Sequence, residues 1–299
     1  MKNINVPTGK ADVVIDTDTY NEIDDQFAIS YLLRSKDKLN TVALYAAPFF
    51  NDNSENPCDG MERSYDELLK IIGLCGEEAL KKSVFKGSRE YLKDENTPVI
   101  SDAANDLVKR AKMYSPSNPL YVVAIAAITN IASAILIEPD IAKNLVIVWL
   151  GGHARHWDHT NEFNMKQDFA AARVIMSSDA SVVQLPCMGV VSEFRLSGPD
   201  ITFWLENKNP LADYLAKNTI KAAEKYAQNK PWTRIIWDVT AVAWLLNEND
   251  RFMYSDMVPV RLPGYDGQYE KNELDKKMCY VKHIRRDALM GDLIEKLRS

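Results

Sequence analysis

The stretch VVIDTDTYNEIDDQFAISYLL, residues 13 to 33, decides how this chain is read. A β-branched apolar run ends at Asp16, and from Asp24 onward Phe27, Ala28, Tyr31 and Leu32 recur at helical spacing. Between the two segments lie Asp16, Asp18, Glu22, Asp24 and Asp25. Strand, acidic loop and helix in that order open an α/β unit. Like charges at this density are costly unless they are well solvated or a positive charge is bound among them. Their position where a first strand ends favours the bound charge.

Outward from this segment, apolar runs of strand length alternate with helical patterns. Strands are expected at 41–47, 120–127, 144–150 and 181–186, with two more near 256–262 and 278–284. Helices are expected at 61–72, 101–113, 130–137, 168–178, 238–246 and 287–297, and over most of 200–229. Residues 48–60 read as loop by composition, and 84–99 as irregular. No internal repeat or low-complexity linker interrupts the series. The prediction is an α/β fold: one domain over 1–299, with an open, mostly parallel, Rossmann-like central sheet and helices on both faces. Ligands of such sheets lie at the carboxyl ends of the strands. The polar residues falling there are Asp16 and Asp18, positions 47–53, Thr129-Asn130, positions 151–164, and Asp238.

At 299 residues and 46% hydrophobic composition, the chain can bury a sizeable core. Its net charge of -6, with no long basic block, argues against nucleic acid or an anionic membrane as a partner. The four cysteines, Cys58, Cys75, Cys187 and Cys279, have neither zinc-site nor disulfide-framework spacing and read as thiols of a reducing compartment. No stretch has the length and apolarity of a signal peptide or membrane span, so a soluble cytoplasmic protein is expected.

The acidic cluster admits three readings from its residues alone. Asp18, Asp24 and Asp25 can offer oxygen ligands to a hard divalent cation. They can instead form a solvated loop, with Asp24 and Asp25 facing the positive end of a helix. Asp16-Thr17-Asp18-Thr19 also fits the DxDxT pattern of haloacid dehalogenase-like phosphatases, with Asp16 as nucleophile and Asp18 as acid/base.

Four ordered segments resemble the inosine-uridine-preferring nucleoside hydrolase family. DTDTYNEIDDQFA, from Asp16, resembles its N-terminal DTDPG-x-DD signature. AIAAITNIASAI at 125–136 resembles its Leu-Thr-Asn-Ile-Ala segment. WLGG at 149–152 with NEFNMKQDFAAARVI at 161–175 resembles its Gly-Gly and Glu-Phe-Asn segments, and WDVTAVAWLL at 237–246 its C-terminal His-Asp motif. The resemblance implies a nucleoside hydrolase-like fold, a homo-oligomer (dimer or tetramer), a small riboside substrate and a Ca²⁺ ion. The implied metal ligands are Asp18, Asp25, Asp238 and the carbonyl of Thr129. Asp18 is also the implied base toward water, while Asp24, Asn164 and Glu162 hold the sugar.

The chain departs from that pattern in places that bear on function. Thr19 to Ile23 replace the Pro-Gly turn with a loop two residues longer. Where the family carries a substrate-contacting Asn after the second strand this chain has AAPFFND, and Asn51 or Asn53 is the substitute. Trp237 stands in place of the family's His before Asp238, and can stack on a base but cannot protonate one. His153, His156 and His159 share one loop; their spacing suits zinc only on a helix, whereas His156 and His159 can stabilise a departing base, bind a phosphate, or simply be exposed polar residues of the loop. Arg155 is a further candidate there, and Tyr265 and Tyr269 are candidate lid residues. A metal-containing nucleoside- or sugar-binding protein that has lost turnover is the reading of a different class, favoured by Trp237 and the longer loop and opposed by the retained aspartates.

Overall fold

Val13 and Ile15 turn to one face of a central sheet and Val14 to the other, and all three are fully buried. A strand covered on both faces is why this segment reads as a continuous apolar run rather than an alternating one. The computed structural model describes residues 4–227 and 229–299. Met1 to Asn3, and Gln228 within the span read as mostly helical, lie outside the described residues.

The strands of the main sheet are β1 (Ala11–Thr17), β2 (Leu39–Ala46), β3 (Val84–Lys86), β4 (Leu120–Ala124), β5 (Leu145–Leu150), β6 (Ser181–Leu185), β9 (Met253–Pro259) and β10 (Lys277–Ile284). A separate two-stranded piece consists of β7 (Arg195–Ser197) and β8 (Thr233–Ile235). The helices are α1 (Ile23–Leu33), α2 (Pro57–Leu74), α3 (Asp102–Ala111), α4 (Thr129–Ile137), α5 (Phe163–Gln167), α6 (Phe169–Ser177), α7 (Gly198–Leu205), α8 (Pro210–Glu224), α9 (Val239–Leu245) and α10 (Arg286–Arg298).

The order across the main sheet is β3-β2-β1-β4-β5-β6-β10-β9. Every pairing is parallel except β10 with β9 at one edge. The expected mostly parallel α/β sheet is therefore present. From β1 the chain grows outward through β2 and β3, then returns to place β4 on the other side. The carboxyl ends of β1 and β4 thus flank the point where strand order reverses, the place at which such sheets open a ligand crevice.

One buried apolar cluster joins one sheet face to α1, α2 and α7 to α10; the other joins the opposite face to α3, α4 and α6. All eleven residues of α1 are buried, because it packs against α2, α8, α9 and α10 as well as the sheet. The helix expected at 61–72 begins earlier, at Pro57. Asn56 caps it by accepting from the Asp59 amide, and Pro57 occupies the first turn. Asn, Pro and Gly are also loop formers, so this start resembled the end of a loop. Gly60 is required there: a Cβ at this position would lie 2.1 Å from the Phe49 carbonyl oxygen.

Among the described residues, no helix is long and apolar enough to cross a membrane.

Candidate functional site

The turn after β1 sets the geometry. The Asn21 amide donates to the Asp18 carbonyl at 2.6 Å, closing a tight loop that leads into α1. Asp24 and Asp25 then fall in the first helical turn, where the helix dipole favours negative charge. The Thr17 hydroxyl donates to Asp25 Oδ1 at 2.5 Å and so fixes one carboxylate to the end of β1. The fourth carboxylate, Asp238, arrives from the far end of the chain at the start of α9. α9 packs directly on α1, which brings the two acidic helix starts together.

Asp24, Asp25 and Asp238 each present an oxygen within 4.8 Å of the others, and all three are buried. Asp18 lies in the same cavity, fully buried. Burial, then the neighbouring carboxylates Asp25 and Asp24, push Asp18 well above the usual carboxylate range. Asp238 is raised by burial and then by Asp24, Asp25 and Asp18. Burial lifts Asp25 to about 7 even though Thr17 donates to it. For Asp24 burial comes first and Glu22 second, with Arg234 opposing them.

Both side-chain oxygens of Asp18 and Oδ1 of Asp24 are buried without a hydrogen-bond partner. Buried polar atoms are nearly always satisfied, so orphaned carboxylate oxygens on residues lining one cavity point to a positive partner there. An all-oxygen donor set of this charge fits a hard divalent cation. The tightest group therefore includes Asp24 beside the expected Asp25 and Asp238.

The cavity, of about 170 Å³, is walled on the acidic side by Asp18, Asn21, Asp24, Asp25 and Asp238. Glu162, Asn164 and His153 line it too, from the segment after β5, and half-buried Trp237 completes it with Phe163. Glu162 has extended backbone and Asn164 lies in the first turn of α5. Glu162 caps α5: its carboxylate accepts from the Gly152, Asn164 and Met165 amides, each at 2.9 Å. Asn164 donates to the Leu150 carbonyl at 3.1 Å. Gly152 has φ of +75°, and a Cβ there would collide with Tyr269, Met165 and Thr160, so the loop after β5 needs glycine at that point.

Four expected site residues stand off the cavity wall. Thr129 is buried at the start of α4, where its hydroxyl donates to Asp168 at 2.7 Å; Ile125, four residues earlier, is the member of that segment that lines the cavity. Asn51 stands behind the wall and donates to Asn21 Oδ1 at 2.5 Å, so Asn21 is the amide presented to the cavity. His156 is exposed and His159 half-buried, and neither lines the cavity; His153 does. Nothing in the sequence marks which of three histidines on an irregular loop turns inward.

Asp16, the nucleophile of the phosphatase reading, is fully buried, absent from the cavity wall and held by Asn130. A larger groove of about 670 Å³ is formed by α7 and α10 rather than by strand ends. Two of its carboxylates are engaged, Asp200 in a capping box with Ser197 and Asp287 in an ion pair with Arg286.

The model of the inosine-uridine preferring nucleoside hydrolase family matches residues 13–288. The chain belongs to this family.

A "Probable uridine nucleosidase 2" from Arabidopsis thaliana is 27% identical over 135 residues, 44% of this chain and 41% of that protein. The chain thus aligns with less than half the length of that curated relative. A solved "Purine-Preferring Ribonucleoside Hydrolase from Gardnerella vaginalis" superposes with a TM-score of 0.74 at 20% identity, covering 96% of this chain and 98% of that one. An "Inosine-Guanosine Nucleoside Hydrolase (IG-NH)" gives a TM-score of 0.75 at 16% identity, covering 96% and 99%. These two likenesses establish the nucleoside hydrolase fold. Family membership supports a hydrolase of this general class, and the buried aspartates give it a site able to chelate a divalent metal.

Proposed function

We propose that this protein is a calcium-dependent hydrolase of the N-glycosidic bond of a ribonucleoside or related riboside, releasing ribose and free base. The observation that carries the reading is the convergence of Asp18, Asp24, Asp25 and Asp238, buried and partly unpartnered, in one cavity with Glu162 and Asn164.

Asp18, Asp25 and Asp238 would hold the calcium, with Asp24 between the ion and the sugar. The main-chain oxygen is assigned to Ile125 in place of Thr129, because Ile125 lines the cavity. Calcium bound there would supply the positive charge that keeps these carboxylates ionised and would acidify a water molecule.

The remaining roles belong to the chain's own side chains. Asp18 has two oxygens free of protein donors and accepts the proton of the attacking water. Asp24 holds a ribose hydroxyl. The carboxylates around the sugar favour the positive charge that develops on the ring as the glycosidic bond breaks. Trp237, half-buried at the cavity, offers its face to the base. No histidine precedes Asp238, so departure of the base relies on stacking and on the field of the site rather than on a proton from that position. His156 and His159 are left without a catalytic role. We further propose a homo-oligomer, as the family resemblance implies, and, from composition and patterning, a single-domain cytoplasmic protein with neither nucleic acid nor membrane as partner.

Incubating the calcium-loaded protein with a panel of purine, pyrimidine and nicotinamide ribosides and measuring free ribose tests the reading. Ribose release that disappears with chelator and returns with calcium is the expected result. Tight riboside binding without turnover would replace it with the binding-protein reading, which Trp237 favours.

A further inference from the structure

Resting on the riboside reading, we propose that His153 is a specificity-determining residue that donates a hydrogen bond from Nε2 to the 5′-oxygen of the substrate, opposite Glu162 as the acceptor for the 5′-hydroxyl proton.

The ring's orientation is fixed by what its other nitrogen does. His153 Nδ1 accepts from the Met188 amide at 3.3 Å, which places the ring proton on Nε2. Among the described residues no protein acceptor faces Nε2, although the residue is buried and lines the cavity. His159 packs against the ring at a centroid distance of 5.4 Å and Trp157 at 6.3 Å, bracing its orientation. Burial, aided by His159, depresses His153 to about 4, so the ring is a neutral donor at physiological pH.

Topology indicates which end of the sugar it meets. The acidic wall hangs from the end of β1 and the His153 wall from the end of β5, with β4 between them. Two strand spacings separate these ends, about 10 Å, which leaves room for a pentose ring spanned between the walls. A vicinal diol suits the aspartate wall, where two adjacent oxygens can share carboxylates and a cation. The hydroxymethyl group, across the ring, then reaches the wall lined by His153, Glu162 and Asn164. Glu162 is a fixed carboxylate: three backbone amides hold it, and Oε1, which takes only one of them, retains accepting capacity. A hydroxyl is both donor and acceptor, so the Glu162 carboxylate and the His153 N–H satisfy it in both senses. A 5′-deoxy group satisfies neither.

The test compares kcat/KM on a cleaved nucleoside with that on its 5′-deoxy analogue in the calcium-loaded protein and two variants. In H153N, Asn Oδ1 replaces Nδ1 and still accepts from Met188, but the Nε2 donor is gone. In H153Q, the terminal amide reaches the Nε2 position and restores a donor. Wild type should prefer the 5′-hydroxyl substrate, H153N should lose about tenfold of that preference with its activity on the 5′-deoxy analogue little changed, and H153Q should regain most of it. An unchanged preference in H153N, or equal losses on both substrates in both variants, overturns the role of His153 while leaving the hydrolase reading standing. Absence of turnover in the wild type on every riboside overturns both.

Discussion

Asn130 donates from Nδ2 to Asp16 Oδ1 at 2.8 Å, joining the start of α4 to the end of β1 directly behind the acidic cavity. The same amide group donates to the Ala46 carbonyl at 3.2 Å, and its oxygen accepts from the Ser88 amide at 2.7 Å. One buried side chain therefore ties β1, β2 and the segment after β3 to α4. N130A would leave Asp16, Ala46 and Ser88 short of partners in a space too dry to replace them. A loss of about 2–4 kcal/mol of unfolding free energy is expected in chemical denaturation. A loss below about 1 kcal/mol would show that water takes over these bonds.

Asp16 also makes stability depend on pH. Burial lifts it from 3.8 to about 7, against the opposing bond from Asn130. Between those values the folded protein binds more protons at this group than the unfolded chain, so its contribution is intact below 3.8 and is lost as pH rises through 7. D16N keeps an oxygen for Asn130 and carries no charge. With calcium chelated, D16N should be about as stable as wild type near pH 4 and roughly 2–4 kcal/mol more stable near pH 8. A pH-independent difference between the two proteins would contradict the assignment.

Removing a cation ligand has a similarly signed outcome. Asp238 is raised by burial and by Asp24, Asp25 and Asp18, so without a cation these groups repel one another. D238N relieves part of that repulsion and replaces a charged ligand with a weaker, neutral one. Without calcium its midpoint of thermal unfolding should rise above that of wild type, and turnover should fall roughly a hundredfold or more. Calcium at a hundred times its Kd should stabilise wild type by about 2.7 kcal/mol, and D238N far less. Equal calcium-induced shifts in the two proteins would remove Asp238 from the metal site.

The parts of this design that were legible in the sequence were those encoded locally. β1, β4 and β5 are buried on both faces and announce themselves as apolar runs, and the acidic turn after β1 marks the crevice before any contact is known. The β7–β8 pair leaves no sequence signal, because each strand is three residues long, rich in Arg, Ser and Thr, and its partner lies nearly forty residues away. The antiparallel placement of β9 depends on a return through residues 260–276 that carries no helical crossover, and composition does not specify its direction. At the site, the aspartates were readable because Asp16, Asp18, Asp24 and Asp25 crowd into ten positions directly after an apolar strand, more charge than capping a helix requires. The inward turn of His153, the retreat of Asn51 behind Asn21 and the engagement of Thr129 with Asp168 are tertiary facts: each depends on a partner distant in sequence or on the positive φ of Gly152.

Trp237 is the element that most separates this site from the family pattern, and its contribution is separable from the sugar's. Aromatic stacking on a base is worth about 1–3 kcal/mol. W237A should therefore weaken kcat/KM for purine ribosides by about tenfold to a hundredfold while leaving inhibition by free ribose within a factor of about two. A parallel loss of ribose affinity would place Trp237 in contact with the sugar.

The inserted loop adds a charge pair to the same site. Arg234 on β8 donates to Glu22, just before α1, and also lowers Asp24 from a distance. Glu22 lines the cavity and is one of the groups that raises Asp24. The two residues therefore act on a bound cation with opposite signs. R234M removes a positive charge near the aspartates and should tighten calcium binding about threefold to tenfold, while lowering the stability of the calcium-free protein. E22Q removes a negative charge and should weaken calcium binding by a smaller factor, since its carboxylate is 43% exposed and partly screened by solvent and salt. Calorimetric titration of both variants at low and at physiological ionic strength checks the pair, and the difference between them should shrink as salt rises. Changes of the same sign in both would mean that the ion pair acts by holding β8 against α1 rather than through its field, since either substitution breaks that clasp equally.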